Sequence, residues 1–170
     1  MSGHTVEKIG GTSISNTDAV MANILVGDRK GDDLYGRIFV VSAYAGITNQ
    51  LLEHKKTGRP GVYALFAGAS ALEASAWLDA MARLQAEMLK INADRFGDGE
   101  DRQTADAFIL ARIEDARSAL SDLQRLCAHG HFRLDTQLGA AREMLASLGE
   151  AHSAHNLTLE LRRRGVNARF

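Results

Sequence analysis

A lysine followed by two glycines and two hydroxyl side chains is a set of groups suited to holding a phosphate. In VEKIGGTS, residues 6–13, Lys8 lies at the end of a short apolar run and Gly10, Gly11, Thr12 and Ser13 come next. A glycine pair between a strand and a helix lets the backbone turn sharply and present its N–H groups, and the helix adds its positive end. Lys8 can then place a point charge on the same anion. SISNTD supplies the start of that helix, with Ser15 and Asp18 at capping-box spacing. The string fits neither the Walker A pattern nor the dinucleotide-binding glycine pattern, and a plain tight turn with a solvated lysine accounts for the same residues.

A second such place is VVSAYAGITNQLL, residues 40–52. Ser42, Ala43 and Gly46 let a ligand approach the backbone, while Thr48 and Asn49 offer hydrogen bonds at a helix start. Taken alone, Thr48 reads as a helix N-cap. Ligands of open α/β sheets bind beyond the carboxyl ends of the strands, and both small-residue loops emerge there. The third place is SLGEAHSAHN, residues 147–156, where Gly149 interrupts an amphipathic pattern and Glu150 opens the next segment. The positive end of that helix would favour an ionised Glu150, able to pair with a substrate ammonium. On the residues alone, a kink at Gly149 and a carboxylate that merely complements the dipole are the preferred account.

Other reactive side chains are less organised. Cys127, His129 and His131 in CAHGHF, and His152 with His155 one helical turn on, are metal-ligand types. A protein zinc site wants three or four ligands and no second cluster has matching spacing, so no metal site is expected. Nor does a nucleophile elbow accompany the serines and histidines.

These residues need a scaffold, and the composition describes it. The chain has 170 residues, 45% hydrophobic and 24% charged, with 20 basic against 21 acidic side chains. That is the profile of a soluble globular domain, without the basic excess a nucleic acid partner would need. Arg162–Arg164, the one local basic cluster, closes a helix where cations suit the dipole. No signal-peptide pattern opens the chain and no apolar run approaches a membrane span, so a cytoplasmic location and no membrane partner are expected. Cys127, the single cysteine, cannot form an internal disulfide and sits in an apolar helical pattern as a buried thiol.

Along the chain, a strand over residues 5–9, a helix over 16–26 and a strand over 37–42 make a βαβ unit of α/β type. The run RIFVVSA suits a strand buried on both faces of a parallel sheet. Another helix begins near Thr48. GDRKGDDLYG and KTGRPG read as surface turns. From Ala71 the period changes to that of a long amphipathic helix, residues 71–96, broken by GDGED. A second helix with the same stripe ends at Gly130, which predicts an antiparallel helical pair. A third runs over 135–146, stops at SLGE, and resumes over 150–164 before Gly165 and a strand-like VNARF. No domain boundary is indicated inside the chain.

Together, VEKIGGTS, VVSAYAGITNQLLE and LGEAHSAHNLTLELRRRGVNA resemble, in order and type, the three N-terminal signatures of aspartate kinases, members of the amino acid kinase superfamily. Ile9, where many relatives have Phe, and the run LLEHKKTGRPGVYALFA look most like the aspartate kinases associated with ectoine biosynthesis. The resemblance implies a three-layer α/β/α sandwich around a mainly parallel sheet, with residues 1–170 its N-terminal part and a helical insertion over about 70–134. It implies transfer of phosphate from ATP, with Mg²⁺, to the side-chain carboxylate of L-aspartate, and a homo-oligomer in the full-length form. Lys8 would neutralise phosphate oxygens, and Ile9, Gly10, Gly11, Thr12 and Ser13 would lie against the nucleotide phosphates. Ser42, Ala43, Thr48 and Glu150 would border the aspartate pocket, with Glu150 at the substrate ammonium. The family continues into a nucleotide-binding half and regulatory ACT domains, which are not expected within these 170 residues, so the piece alone is expected to be inactive. A kinase of another amino acid or of a nucleotide, and a noncatalytic module docking a partner through the helical pair, are the rival expectations.

Overall fold

The computed structural model describes residues 4–68, 75–128 and 134–170, and they group into two compact units, 1–45 with 150–170, and 46–149. The predicted helix over residues 71–74, its end at Gly130, and His129 and His131 lie outside the described residues.

In the first unit, β1 (Thr5–Ile9) and β2 (Arg37–Val41) pair in parallel, with Val6 opposite Ile38 and Lys8 opposite Val40. Both strands were legible as short β-branched runs. Alternation puts Glu7, Ile9, Arg37, Phe39 and Val41 on one face and Val6, Lys8, Ile38 and Val40 on the other. Val6, Ile38 and Val40 are 68%, 50% and 49% exposed, so β2 is not buried on both faces as its apolar run suggested. The α/β alternation is present. A two-stranded sheet among the described residues is less than the three-layer sandwich expected.

On the covered face, Arg37 makes two bonds of 2.7 Å to the carboxylate of Glu7 and donates to the carbonyls of Ile24 and Leu25. Those carbonyls end a π-helical turn, Met21–Leu25, and that of Ile24 also accepts from Arg29 at 3.0 Å. The side chain of Arg37 is only 6% exposed, and its guanidinium also lies 4.7 Å from the Phe39 ring centroid. One residue thus fastens the crossover to the strand edge.

The crossover differs from the helix expected over residues 16–26. It starts at α1 (Gly11–Ser15), breaks at Asn16, and resumes as α2 (Thr17–Val20) before the π turn. Gly10, extended at φ −74° and ψ 161°, is the N-cap of α1. The capping box does not form. Asn16 caps α2 without a side-chain bond, and Ser15 is engaged elsewhere.

Helices dominate the second unit: α3 (Ile47–Leu51), α4 (Val62–Gly68), α5 (Ser75–Phe96) and α6 (Glu100–Ala128). Between α3 and α4 an exposed turn is closed by an antiparallel bridge from Glu53 to Pro60. The predicted hairpin is there, although its break is shorter than GDGED, because only residues 97–99 leave the helical path. Trp77, Met81, Leu84 and Met88 from α5 and Ala105, Ile109, Ile113, Ala116 and Leu120 from α6 are buried at three- and four-residue spacing. Each large side chain so buried contributes about 1.5–3 kcal/mol. Near the hairpin's closed end, buried Asn92 donates to Asp106 at 2.8 Å. Trp77 is fully buried, edge-on to Phe66 at 5.7 Å between ring centroids. Cys127, expected buried, is only partly buried, and Leu120 is the last fully buried side chain of α6 among the described residues.

One helix, α7 (Leu138–Arg163), replaces the two expected on either side of SLGE. A single interior glycine costs about 1 kcal/mol relative to alanine, too little to end a helix whose Leu145, Leu148, Leu157 and Leu161 are buried. VNARF is not a strand; after Gly165 the chain folds back, with the Val166 N–H on the carbonyl of Leu161 and Arg162 on that of Ala168. Among the described residues no helix is long and apolar enough to cross a membrane.

Candidate active site

Parallel pairing brings the ends of β1 and β2 to the same edge of the first unit. The ladder runs one step past the strands, with the Ser42 N–H on the carbonyl of Ile9 at 3.0 Å. Gly11 then passes so close to the second loop that a Cβ on it would lie 2.6 Å from the carbonyl oxygen of Ala43. This is the physical reason for a glycine there. Gly10 has open space around it and serves as the helix cap.

Three further contacts fix the second loop. Ser15 Oγ donates to the carbonyl of Gly11 at 2.8 Å and accepts the N–H of Ala45 at 2.9 Å, so it ties the two loops together. From α7, Ser153 Oγ lies 2.8 Å from the carbonyl oxygen of Ser42 and 3.0 Å from that of Glu150. Tyr44 is buried edge-on to His152, with 5.3 Å between ring centroids. Ser15, Tyr44, His152 and Ser153 were not foreseen as positioning groups. The one local signal was Ser153 standing three residues after Glu150, on the same helical face.

Glu150 sits in the middle of α7, not at a helix start, so the dipole argument for its ionised form does not hold. The geometry gives a different reason to single it out: its Oε2 is buried and has no hydrogen-bond partner among the described residues. A carboxylate oxygen deprived of water and of a partner is costly, by about 1–3 kcal/mol or more for a charged group, unless something cationic or donating meets it.

The remaining candidates are placed as follows. Lys8 is exposed on the open face of β1, two residues before the Gly10 cap. Thr12 and Ser13 are exposed in the first turn of α1, whose early N–H groups have no side-chain cap. Ile9 is buried in the core with its carbonyl engaged, and Ala43 is buried beneath the loop. Thr48 belongs to the other unit. It is the second residue of α3, and Gly46, at φ +87°, is the N-cap that Thr48 was expected to be. His152 is fully buried with Nε2 3.2 Å from the Asn156 amide, and His155 lies edge-on to Phe170.

Arg37 pulls the Glu7 carboxyl below its ordinary value, chiefly by its hydrogen bonds and then by its charge, against the opposing effect of burial. Glu7 is therefore a structural anion held by an ion pair.

No protein-family profile and no solved structure matches the chain. A curated protein does: Aspartate kinase Ask_Ect of Stutzerimonas stutzeri (strain A1501) is 55% identical over 167 residues, 98% of this chain. The chain spans 35% of the length of that relative. The resemblance to aspartate kinases carried by three short motifs therefore extends across nearly the whole of this sequence, at more than half of its aligned positions.

Proposed function

We propose that the chain is the N-terminal part of an amino acid kinase catalytic domain, completed elsewhere into the three-layer sandwich, that binds L-aspartate for phosphorylation by ATP. In the reaction one oxygen of the aspartate side-chain carboxylate attacks the γ-phosphorus in line, the bond to the β,γ-bridging oxygen breaks, and 4-phospho-L-aspartate and ADP result. No protein nucleophile is required, because positioning and charge neutralisation supply the catalysis. The observation that carries this reading is the buried, partnerless Oε2 of Glu150, one helical turn from the serine that holds the Ser42 carbonyl. An ammonium group at that oxygen satisfies it, and the substrate amino group is such a cation.

Lys8 stands at the strand end where transferring phosphate oxygens would gather charge, with the first-turn N–H groups of Gly11, Thr12 and Ser13 beside it. Ser42 and Ala43 give the substrate a backbone edge held rigid by Ser15 and Ser153. Thr48 joins the aspartate-binding set by motif resemblance. Among the described residues no three acidic, histidine or cysteine side chains converge to hold a metal, and no step is assigned to Mg²⁺, which enters with the nucleotide phosphates. The kinship with a protein named for aspartate phosphorylation supports the substrate, and its suffix supports ectoine supply as the pathway.

The test fuses this chain to the remaining sequence of the relative and supplies Mg-ATP, L-aspartate and hydroxylamine. Aspartyl hydroxamate should form, and should fall with Glu150→Gln at limiting aspartate. Hydroxamate formed from glutamate in preference to aspartate would overturn the substrate assignment.

A further inference from the structure

We propose that the helical unit carries a binding site for a small oxyanion, a carboxylate or phosphate group, in the cleft between α3, the turn at residues 53–60, and α5. The cleft encloses about 450 Å³ and is lined by Asn49, Gln50, His54, Arg59 and Arg83, with no acidic side chain on its wall.

Two arginines share its wall. Arg37, Arg102, Arg117, Arg125, Arg142 and Arg164 each meet a carboxylate. Arg59 and Arg83, which face one cavity, make no ion pair among the described residues. For Arg83 this holds although Asp79 and Glu87 stand four residues to either side on the same helix, at the spacing where such pairs form. Two guanidinium groups lining one concave surface repel each other, and an anion between them removes that repulsion while accepting their paired N–H bonds.

The histidine adds a donor of fixed identity. His54 Nδ1 accepts the backbone N–H groups of Lys56 and Thr57 at 3.3 and 3.2 Å, which assigns the ring proton to Nε2. The turn that carries it is itself held by the His54 N–H on the Arg59 carbonyl at 2.9 Å and the Gly58 N–H on the His54 carbonyl at 2.8 Å. Donors are thus pre-positioned on a closed turn, while Asn49 and Gln50 supply amide groups from α3.

The experiment titrates the whole chain with inorganic phosphate and, separately, with malonate at constant ionic strength, following the arginine Nε–H and histidine ring resonances by NMR. Saturable shifts at His54, Arg59 and Arg83 are expected, with a Kd of about 1 mM or tighter for one of the two anions. Saturation by phosphate identifies a phosphate-bearing ligand, and saturation by malonate a carboxylate. Arg59→Gln and Arg83→Gln should each weaken binding about tenfold, the loss of one charge-assisted contact, while Arg83→Lys should weaken it less. Both arginines are exposed, so the variants should melt like the parent chain. Absence of saturation by either anion below about 20 mM, or parent-like affinity in both glutamine variants, overturns the proposal. Glu150→Gln should leave this binding unchanged, so the site fails or stands apart from the transferase reading.

Discussion

Gly10 and Gly11 are neighbours in sequence, and replacing each with alanine should have opposite effects. At Gly11 the new Cβ would meet the Ala43 carbonyl oxygen at 2.6 Å, about 0.8 Å short of the 3.4 Å of ordinary contact. The two loops can separate only by stretching the bonds on either side of that contact, Ser42 N–H to Ile9 at 3.0 Å and Ala45 N–H to Ser15 at 2.9 Å. An opening of about 0.8 Å takes both beyond about 3.6 Å, where a hydrogen bond no longer exists. Losing one or both costs about 1–3 kcal/mol, which is also the usual cost of overpacking. Gly10 has nothing within 4 Å of its virtual Cβ and a φ of −74° that any residue adopts. Alanine there should be neutral, or stabilise by about 0.4–1 kcal/mol through the unfolded chain. Urea unfolding followed by far-ultraviolet circular dichroism measures both. Equal stability of the two variants, or a larger loss at Gly10, would refute the argument that close approach between the strand-end loops sets the second glycine.

Other expectations concern the site and its support. Glu150→Gln should weaken L-aspartate by about 1.5–3 kcal/mol with little effect on nucleotide, read from titration of each ligand; unchanged aspartate affinity removes the ammonium role. Lys8→Ala in the fused enzyme should lower kcat far more than it raises the aspartate KM, since its contact strengthens as phosphate charge shifts, and an unaltered kcat would take Lys8 out of the mechanism. Ser153→Ala should cost about 1 kcal/mol and raise the aspartate KM by loosening the Ser42 carbonyl; parent-like kinetics would leave Ser153 a helix residue only. The depressed Glu7 carboxyl stabilises the folded state above its ordinary value of 4.5, and that contribution should be lost as pH falls through the lower folded value. Arg37→Met should therefore flatten the acid limb of the stability curve, and identical acid limbs in parent and variant would discount the ion pair.

What the sequence disclosed, and what it did not, follows from the range of the forces involved. The strands and the α5–α6 hairpin rest on local period and propensity, and both were readable. Gly149 looked like a helix break because glycine propensity is local, whereas α7 stays continuous with its leucines buried on either side of that glycine. The start of the crossover helix was misplaced for a similar reason: Ser15 looked like a cap for Asp18, but its hydroxyl is used 30 residues away at Ala45. Glu150 was singled out on a helix dipole that the continuous α7 does not supply, and what distinguishes it in the fold is a buried oxygen with no hydrogen-bond partner among the described residues. Ser153 bonds a carbonyl 111 residues distant, a relation no spacing in the sequence encodes.

Trp77, the only tryptophan, is buried in the helical unit against Phe66. Its emission is therefore a private signal of that unit, silent about Lys8, Ser42 and Glu150, which belong to the other. A fluorescence melt and a circular dichroism melt that coincide would mean the two units unfold together, and a gap between them would measure how independently each one holds.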